Sequence, residues 1–332
     1  MLGKIALEEH FAMSETVHFS AGYAAEEHEA ELSSRLLDLE DGRLRQMDEN
    51  GVEMMLLSLN SPSVQASWEP AQAKDLARRA NDYLAEHVNK HPTRLQGLAA
   101  LPLQDPEAAA EELERCVKQL GFRGALANGF SEVAGSATLL YYDLPQYRPF
   151  WRVVEALDVP FYLHPRNPLA KDAAIYEGHD WLMGPAWAFA QETAVHSLRL
   201  MGSGLFDEYP NLKIIIGHMG EGLPFSMWRV DNANPWLQPE TPRHRAKRKI
   251  GDYFQENFYL TTSGNFHTPL LIMSMLEVGS DRILFSTDWP FETVDDAARW
   301  FDNCTISELD RAKIGRRNAL DLFRLHDVLG TD

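Results

Sequence analysis

The chain has 332 residues, 45% of them hydrophobic and 24% charged, a globular mix that excludes a disordered chain, a collagen-like fibre and a coiled coil. Its 31 basic and 49 acidic residues leave a net charge of −18, which repels nucleic acid and anionic lipid. Two cysteines, Cys116 and Cys304, exclude a disulfide scaffold and a Cys-rich zinc module and suit a reducing compartment.

The first apolar run, 4–10, reads as a strand. Too few apolar residues precede Glu8 for a signal peptide. An insertion at about 11–35 follows, then a helix at about 36–50 and a strand at 54–59. A helix at about 70–90 leads to a strand at 95–101. The next helix opens after Asp105, with Pro106 in its first turn, and stops at Gly121; Ala109, Leu113, Cys116, Val117 and Leu120 share one face. Strands at 122–127 and 159–164 flank a helix at about 146–157. A second insertion, 165–186, precedes a helix at about 187–208 and a strand at 212–218. The basic run 243–249 reads as a solvated helix face or a patch pairing with acidic neighbours. Strands at 257–262 and 282–288 flank a helix at about 268–279, and a helix at about 306–328 ends the pattern. The longest stretch without Asp, Glu, Lys or Arg, 257–276, holds Thr261, Ser263, Asn265, His267 and Pro269, so no membrane span is expected. The protein reads as cytoplasmic.

Eight strands alternating with helices argue for a parallel sheet, and eight such units for a (β/α)8 TIM barrel in one domain, 1–332. The competing open doubly wound sheet usually has a glycine-rich first turn, whereas this one reads His10-Phe11-Ala12-Met13.

Side-chain alternation in the first strand puts Ala6, Glu8 and His10 on one face, and Leu7 and Glu9 on the other. Glu8 and His10 would point into the top of the barrel. His164, His218 and Asp288 end the fifth, sixth and eighth strands, on the rim where barrel active sites lie. Each alone is as well read as a hydrogen-bonded strand end. Together they are costly to bury unless paired or bound to a metal.

These residues also carry a resemblance. Glu8-x-His10, His164-Pro165-Arg166-Asn167, Gly217-His218-Met219-Gly220-Glu221 and Ser286-Thr287-Asp288-Trp289-Pro290 resemble the amidohydrolase superfamily. More narrowly they resemble its non-oxidative hydroxybenzoate decarboxylases, above all those acting on 2,6-dihydroxybenzoate (γ-resorcylate). The likeness extends to Tyr141-Tyr142-Asp143, Trp187 to Glu192 and Thr262 to Phe266. It implies one divalent metal, Mn²⁺ or Zn²⁺ with Mg²⁺ possible, on Glu8, His10, His164 and Asp288, and no organic cofactor. Binuclear relatives carry a bridging Lys after the fourth strand; Gly124 to Gly129 has none. The resemblance further implies His218 and Glu221 as an acid–base pair and a small aromatic carboxylate as substrate, released as resorcinol and CO₂; a carboxyl beside the metal can hold a proton when a second anion binds nearby, which makes Asp288 the candidate proton donor to the ring carbon. Tyr23, Phe189, Trp187 and Phe291 could line the ring slot, and Asn128 and Asn234 could bond a second hydroxyl. Arg229 and Asn234 lie where the family reaches a neighbouring subunit, implying a homo-oligomer, dimer or tetramer. The stretch from Trp236 to His244, and His267 in place of Arg, depart from the family pattern. The departures bear on ring substituents and subunit contacts, not on the metal.

A hydrolase of the same superfamily, a lactonase or amidase with a metal-activated water, is the second reading. A metal-dependent binding protein is the third. Gly217 to Gly222 lacks the Lys-Ser/Thr of a phosphate loop.

Overall fold

Parallel strands need long crossovers, and the chain supplies one between each pair. The computed structural model describes residues 1–67, 69–133, 139–233 and 244–330. Its strands are β1 (Lys4–Phe11), β2 (Val52–Leu59), β3 (Leu95–Ala99), β4 (Gly124–Asn128), β5 (Phe161–His164), β6 (Ile214–Ile216), β7 (Phe258–Thr261) and β8 (Ile283–Leu284). They lie side by side in chain order, all pairs parallel. Beyond β8 the chain meets β1: Asp288 N donates to Glu8 O (3.1 Å) and His10 N to Trp289 O (2.7 Å). This seam closes the expected (β/α)8 barrel and sets aside the open sheet.

Alternation in β1 is broken, which corrects the expected faces. The β1–β2 register shifts between Ala6 and Glu9. Leu7 N and Glu8 N both donate to Ser286 Oγ, at 3.0 and 2.6 Å. Two successive N–H groups on one acceptor mark a bulge. Ala6 therefore packs outward with Met55 and the helical layer, while Ile5 and Leu7 pack inward with Met54, Leu126 and Ile215. The bulge returns Glu8 and His10 to the inside, as expected, and sends Glu9 out.

Two cores result. The outer, between strands and helices, holds Leu57, Phe161, Ile214 and Phe285. The inner fills the barrel and is plugged by Leu320, Phe323 and Leu325 of the C-terminal segment.

The helix Pro106–Gln119 starts where expected: Asp105 accepts from Glu107 N and Ala108 N, both at 3.2 Å, with proline at its start. The helix Pro70–Lys90 also matches. The expected helix at 36–50 starts only at Asp41 and runs to Glu49, because the Asp38 carboxylate takes Glu40 N (3.0 Å) and Gly42 N (2.7 Å). The expected helix at 187–208 divides at Gly204, whose φ of +77° ends α-geometry. The expected helix at 306–328 is broken into Glu308–Ala312, a π-turn at Lys313–Arg317, Asn318–Leu322 and His326–Leu329. Among the described residues, four helices of eight or more residues were not expected: Glu29–Leu37, within the first insertion, Leu223–Asn232, Ile250–Asn257 and Val294–Asn303. Residues 244–249 of the basic run precede a helix instead of forming one; Arg248 pairs with Glu256 (2.5 Å) and Asp252 (3.5 Å). Among the described residues no helix is long and apolar enough to cross a membrane.

Candidate active site

The last three strands are shorter than their apolar runs, so His218 and Asp288 lie in the turns beyond Ile216 and Leu284. These turns are tight. His218, Met219, Glu221 and Asp288 all have positive φ (+52°, +58°, +54° and +70°), costly for side chains with a Cβ. Such backbone persists where surrounding bonds fix it, and functional sites are where it collects.

Ligand atoms of Glu8, His10, His164 and Asp288 lie within 4.8 Å of one another. His164 Nε2 is 3.2 Å from Glu8 Oε1, and His10 Nε2 is 3.5 Å from Asp288 Oδ1. Glu8 Oε1 and His10 Nε2 are buried without a hydrogen-bond partner. Orphaned acceptors converging on one point suit a cation. Two imidazoles and two carboxylates make a donor set for a divalent ion. The cluster thus fits a single metal.

Glu8 is held from behind. Its Oε2 accepts from the Tyr162 hydroxyl and from Ser263 Oγ (2.6 Å), with Thr261 Oγ1 3.5 Å away. The turn is glycine for want of space: a Cβ on Gly217 would lie 2.6 Å from Glu8 Oε2, and one on Gly264 would lie 3.0 Å from Asp288 Oδ2. His10 Nδ1 faces Ser58 Oγ at 3.2 Å, leaving Nε2 for the cluster.

His218 stands against the cluster. Its Nδ1 bonds Glu221 Oε1 at 2.7 Å, and its Nε2 faces Glu8 Oε1 (3.4 Å) and Asp288 Oδ2 (3.5 Å). Burial disfavours a charged His218, but Glu221, Glu8 and Asp288 outweigh it and raise the imidazole well above its ordinary range. Burial would raise the Glu8 carboxyl, yet the charge of His218 and the close imidazoles of His164 and His10 hold it well below the usual carboxylate range. Burial lowers His164, opposed by Glu8. His218 is therefore the cation of the pair with Glu221.

A cavity of about 400 Å³ opens above the cluster, lined by Tyr23, His164, Phe189, His218, Asp288 and Phe291. Phe291 lies 5.5 Å from His10 and 6.0 Å from Tyr23, centroid to centroid, and Tyr23 lies 5.8 Å from Phe189. These edge-on rings leave a slot with apolar walls and a charged floor. Ala24, His28, Leu32 and Arg35 from the first insertion complete the wall. Trp187 is half exposed and lines an adjoining cavity that shares His218 and Asp288. Asn128 ends β4 in register with His164, buried, its Oδ1 without a partner, but it does not line the slot. Arg229 is exposed on the helix Leu223–Asn232, outside its own chain's slot. His267 is exposed. Asn234 and residues 236–243 lie outside the described residues.

The amidohydrolase family profile matches residues 17–325. The chain belongs to the amidohydrolase family. Among its family relatives, the γ-resorcylate decarboxylase of a Polaromonas species is 67% identical over 98% of this chain and 100% of that protein. A crystal structure of a dihydroxybenzoic acid decarboxylase from Polaromonas, with bound manganese and the inhibitor 2-nitroresorcinol, superposes with a TM-score of 0.96 at 66% identity, covering 98% of both chains. Another, of 2,6-dihydroxybenzoate decarboxylase complexed with 2,6-dihydroxybenzoate, gives 0.95 at 62% identity over 98% of this chain and all of that one, 100%.

The amidohydrolase residues that frame the site were only partly foreseen. Tyr162, Ser263 and Ser286 were overlooked as supports of Glu8. Tyr162 stands two residues before His164 in one strand, so a shared face was the available signal. Ser263 and Ser286 stood inside quoted motifs without a role.

Proposed function

We propose that this chain is a metal-dependent, non-oxidative decarboxylase that converts 2,6-dihydroxybenzoate to resorcinol and CO₂. The observation that carries the reading is the Glu8, His10, His164 and Asp288 cluster at the floor of an aromatic slot. The 67% and 66% identical relatives supply the substrate class. Nothing favours the hydrolase reading, since these relatives are decarboxylases.

Glu8, His10, His164 and Asp288 would hold the ion, with Mn²⁺ preferred to Zn²⁺ or Mg²⁺. When bound, it supplies positive charge that the net −18 chain lacks and attracts a carboxylate with its ortho oxygen. Tyr23, Phe189 and Phe291 clasp the ring and exclude water. An ortho phenolate oxygen pushes electron density to the carbon bearing the carboxylate. Asp288 delivers a proton to that carbon, the carbon–carbon bond breaks, CO₂ leaves and aromaticity returns. One proton is consumed per turnover. His218 Nε2, 3.5 Å from Asp288 Oδ2, is placed to return it, while Glu221 keeps His218 oriented and charged. Arg229, exposed outside its own chain's slot, would reach the slot of a neighbouring copy.

We take residues 1–332 as one cytoplasmic barrel domain whose insertions at about 11–35 and 165–186 roof the slot; Tyr23, Arg35 and Pro185 on its wall support this. The exposed Phe225 and Trp228 favour a homo-oligomer, dimer or tetramer.

Turnover in heavy water tests the chemistry. The Mn²⁺-loaded protein should place one deuterium on the carbon that loses the carboxylate, read by mass and proton resonance. Asp288→Asn should bind 2,6-dihydroxybenzoate and release no CO₂. An inert parent protein, or a fully active D288N, ends the reading.

A further inference from the structure

The bulge in β1 leaves one carboxylate without a task. Glu9 is fully buried and points out of the barrel, away from the cluster that its neighbours Glu8 and His10 enter. A buried carboxylate is costly unless its oxygens are satisfied. Those of Glu9 are, and all its partners flank one residue. Oε1 accepts from Thr287 N (2.8 Å). Oε2 takes Thr287 Oγ1 (2.6 Å) and Trp289 N (3.3 Å). Between Thr287 and Trp289 stands Asp288, at a φ of +70°. Arg43, also fully buried, stands behind the same strand; its Nη2 donates to His10 O (2.6 Å) and it feels the charge of Glu9.

We propose that Glu9 is a positioning residue for Asp288, gripping the Thr287 and Trp289 amides so that the strained turn between them aims the Asp288 carboxylate into the metal cluster. This rests on the proposed decarboxylase reading only for its rate measurements. Burial raises the Glu9 carboxyl to about 8 against the pull of Thr287 and Arg43, but in either protonation state both oxygens still accept the two backbone N–H groups. Glutamine cannot do the same. Its amide nitrogen, placed at Oε1, faces Thr287 N–H; placed at Oε2, it faces Trp289 N–H. Either orientation sets a donor against a donor: the first leaves Thr287 N without its acceptor, and the second leaves Trp289 N only Thr287 Oγ1, at 3.2 Å.

The test uses Glu9→Gln, Thr287→Val and Thr287→Ser, each checked for fold by circular dichroism. Mn²⁺ is titrated calorimetrically into chelator-stripped protein, and kcat and KM are measured with 2,6-dihydroxybenzoate. Partners that orient metal ligands affect metal affinity or activity by about 10- to 100-fold. E9Q should raise the Mn²⁺ Kd by about tenfold or more and lower kcat similarly, with KM within about threefold. T287V should move both the same way by less, and T287S should restore them. A merely structural Glu9 would lower the melting temperature without this split. The Mn²⁺ titration needs no turnover, so it judges Glu9 even if the parent is inert towards 2,6-dihydroxybenzoate, a result that would count against the decarboxylase reading alone. A folded E9Q that matches the parent's Mn²⁺ Kd and kcat within about twofold overturns the inference. Should E9Q fail to fold, equal Mn²⁺ affinities for T287V and T287S overturn it, and a gap between them supports it.

Discussion

Replacing Gly217 with alanine adds a methyl group where the structure has no room. The new Cβ would lie 2.6 Å from Glu8 Oε2, 3.3 Å from Oε1 and 3.1 Å from Ser263 Oγ. Ordinary contact starts at 3.4 Å, so the Glu8 carboxylate must retreat by about 0.8 Å, from 2.6 to 3.4 Å. It cannot do so freely, because Tyr162 and Ser263 hold the same oxygen. Gly217 is not among the glycines with positive φ, so its backbone accepts alanine and the effect falls on Glu8 and on the Ser263 hydroxyl that holds it. Overpacking of this kind costs about 1–3 kcal/mol of stability. A misplacement approaching 1 Å in a catalytic array costs about 100-fold in rate. We expect G217A to fold with a lowered melting temperature, to bind Mn²⁺ at least about tenfold more weakly, and to release resorcinol about 100-fold more slowly. Calorimetric Mn²⁺ titration and chromatography of resorcinol measure these. Gly202→Ala is the control, since its Cβ meets nothing nearer than His244 at 3.8 Å. A G217A protein with the parent's Mn²⁺ affinity and rate would refute the reasoning that Glu8 must stand where it does.

Stripping the protein with chelator should abolish decarboxylation, and added Mn²⁺ should restore it and raise the melting temperature, because the ion binds the folded cluster alone. Full activity after exhaustive chelation, followed by metal analysis, would remove the cluster from the chemistry. The second expectation concerns acid. Burial lowers His196 to about 3 from an ordinary 6.5, and its Nε2 accepts from Tyr142 N at 3.1 Å. Between those values the unfolded chain binds the proton and the folded one does not. Its contribution is therefore intact above about pH 6.5 and lost progressively as pH falls, by about 2 kcal/mol at pH 5. Urea unfolding of the parent and of His196→Gln between pH 5 and 7 measures it; parallel pH curves would contradict this account.

Much of the barrel was legible because its strands are buried on both faces and read as unbroken apolar runs. The helices Pro70–Lys90 and Pro106–Gln119 carried clear boundaries. The helix Leu223–Asn232 did not, since Phe225 and Trp228 blur its polar face and a glycine-rich turn precedes it. Val294–Asn303 was overlooked although Thr293 caps it through Asp296 N. Glu8, His10, His164 and Asp288 were legible as polar ends of apolar runs, and the resemblance assigned them to a metal. The bulge in β1 was not, because its cause, Ser286, lies 279 residues from Leu7 in the chain. The grip of Glu9 on Thr287 escaped for the same reason. Long-range hydrogen bonds leave no local period to read.

The offset in β1 also constrains anyone who would rebuild this centre elsewhere. Glu8 and Glu9 are identical in chemistry and adjacent in sequence, yet one faces the ion's seat and the other the outer layer. On a regular strand that kept Ile5 and Leu7 inside the barrel, Glu8 and His10 would both turn to the outer layer. A faithful transplant must carry the wrinkle, and the serine that creates it, along with the ligands.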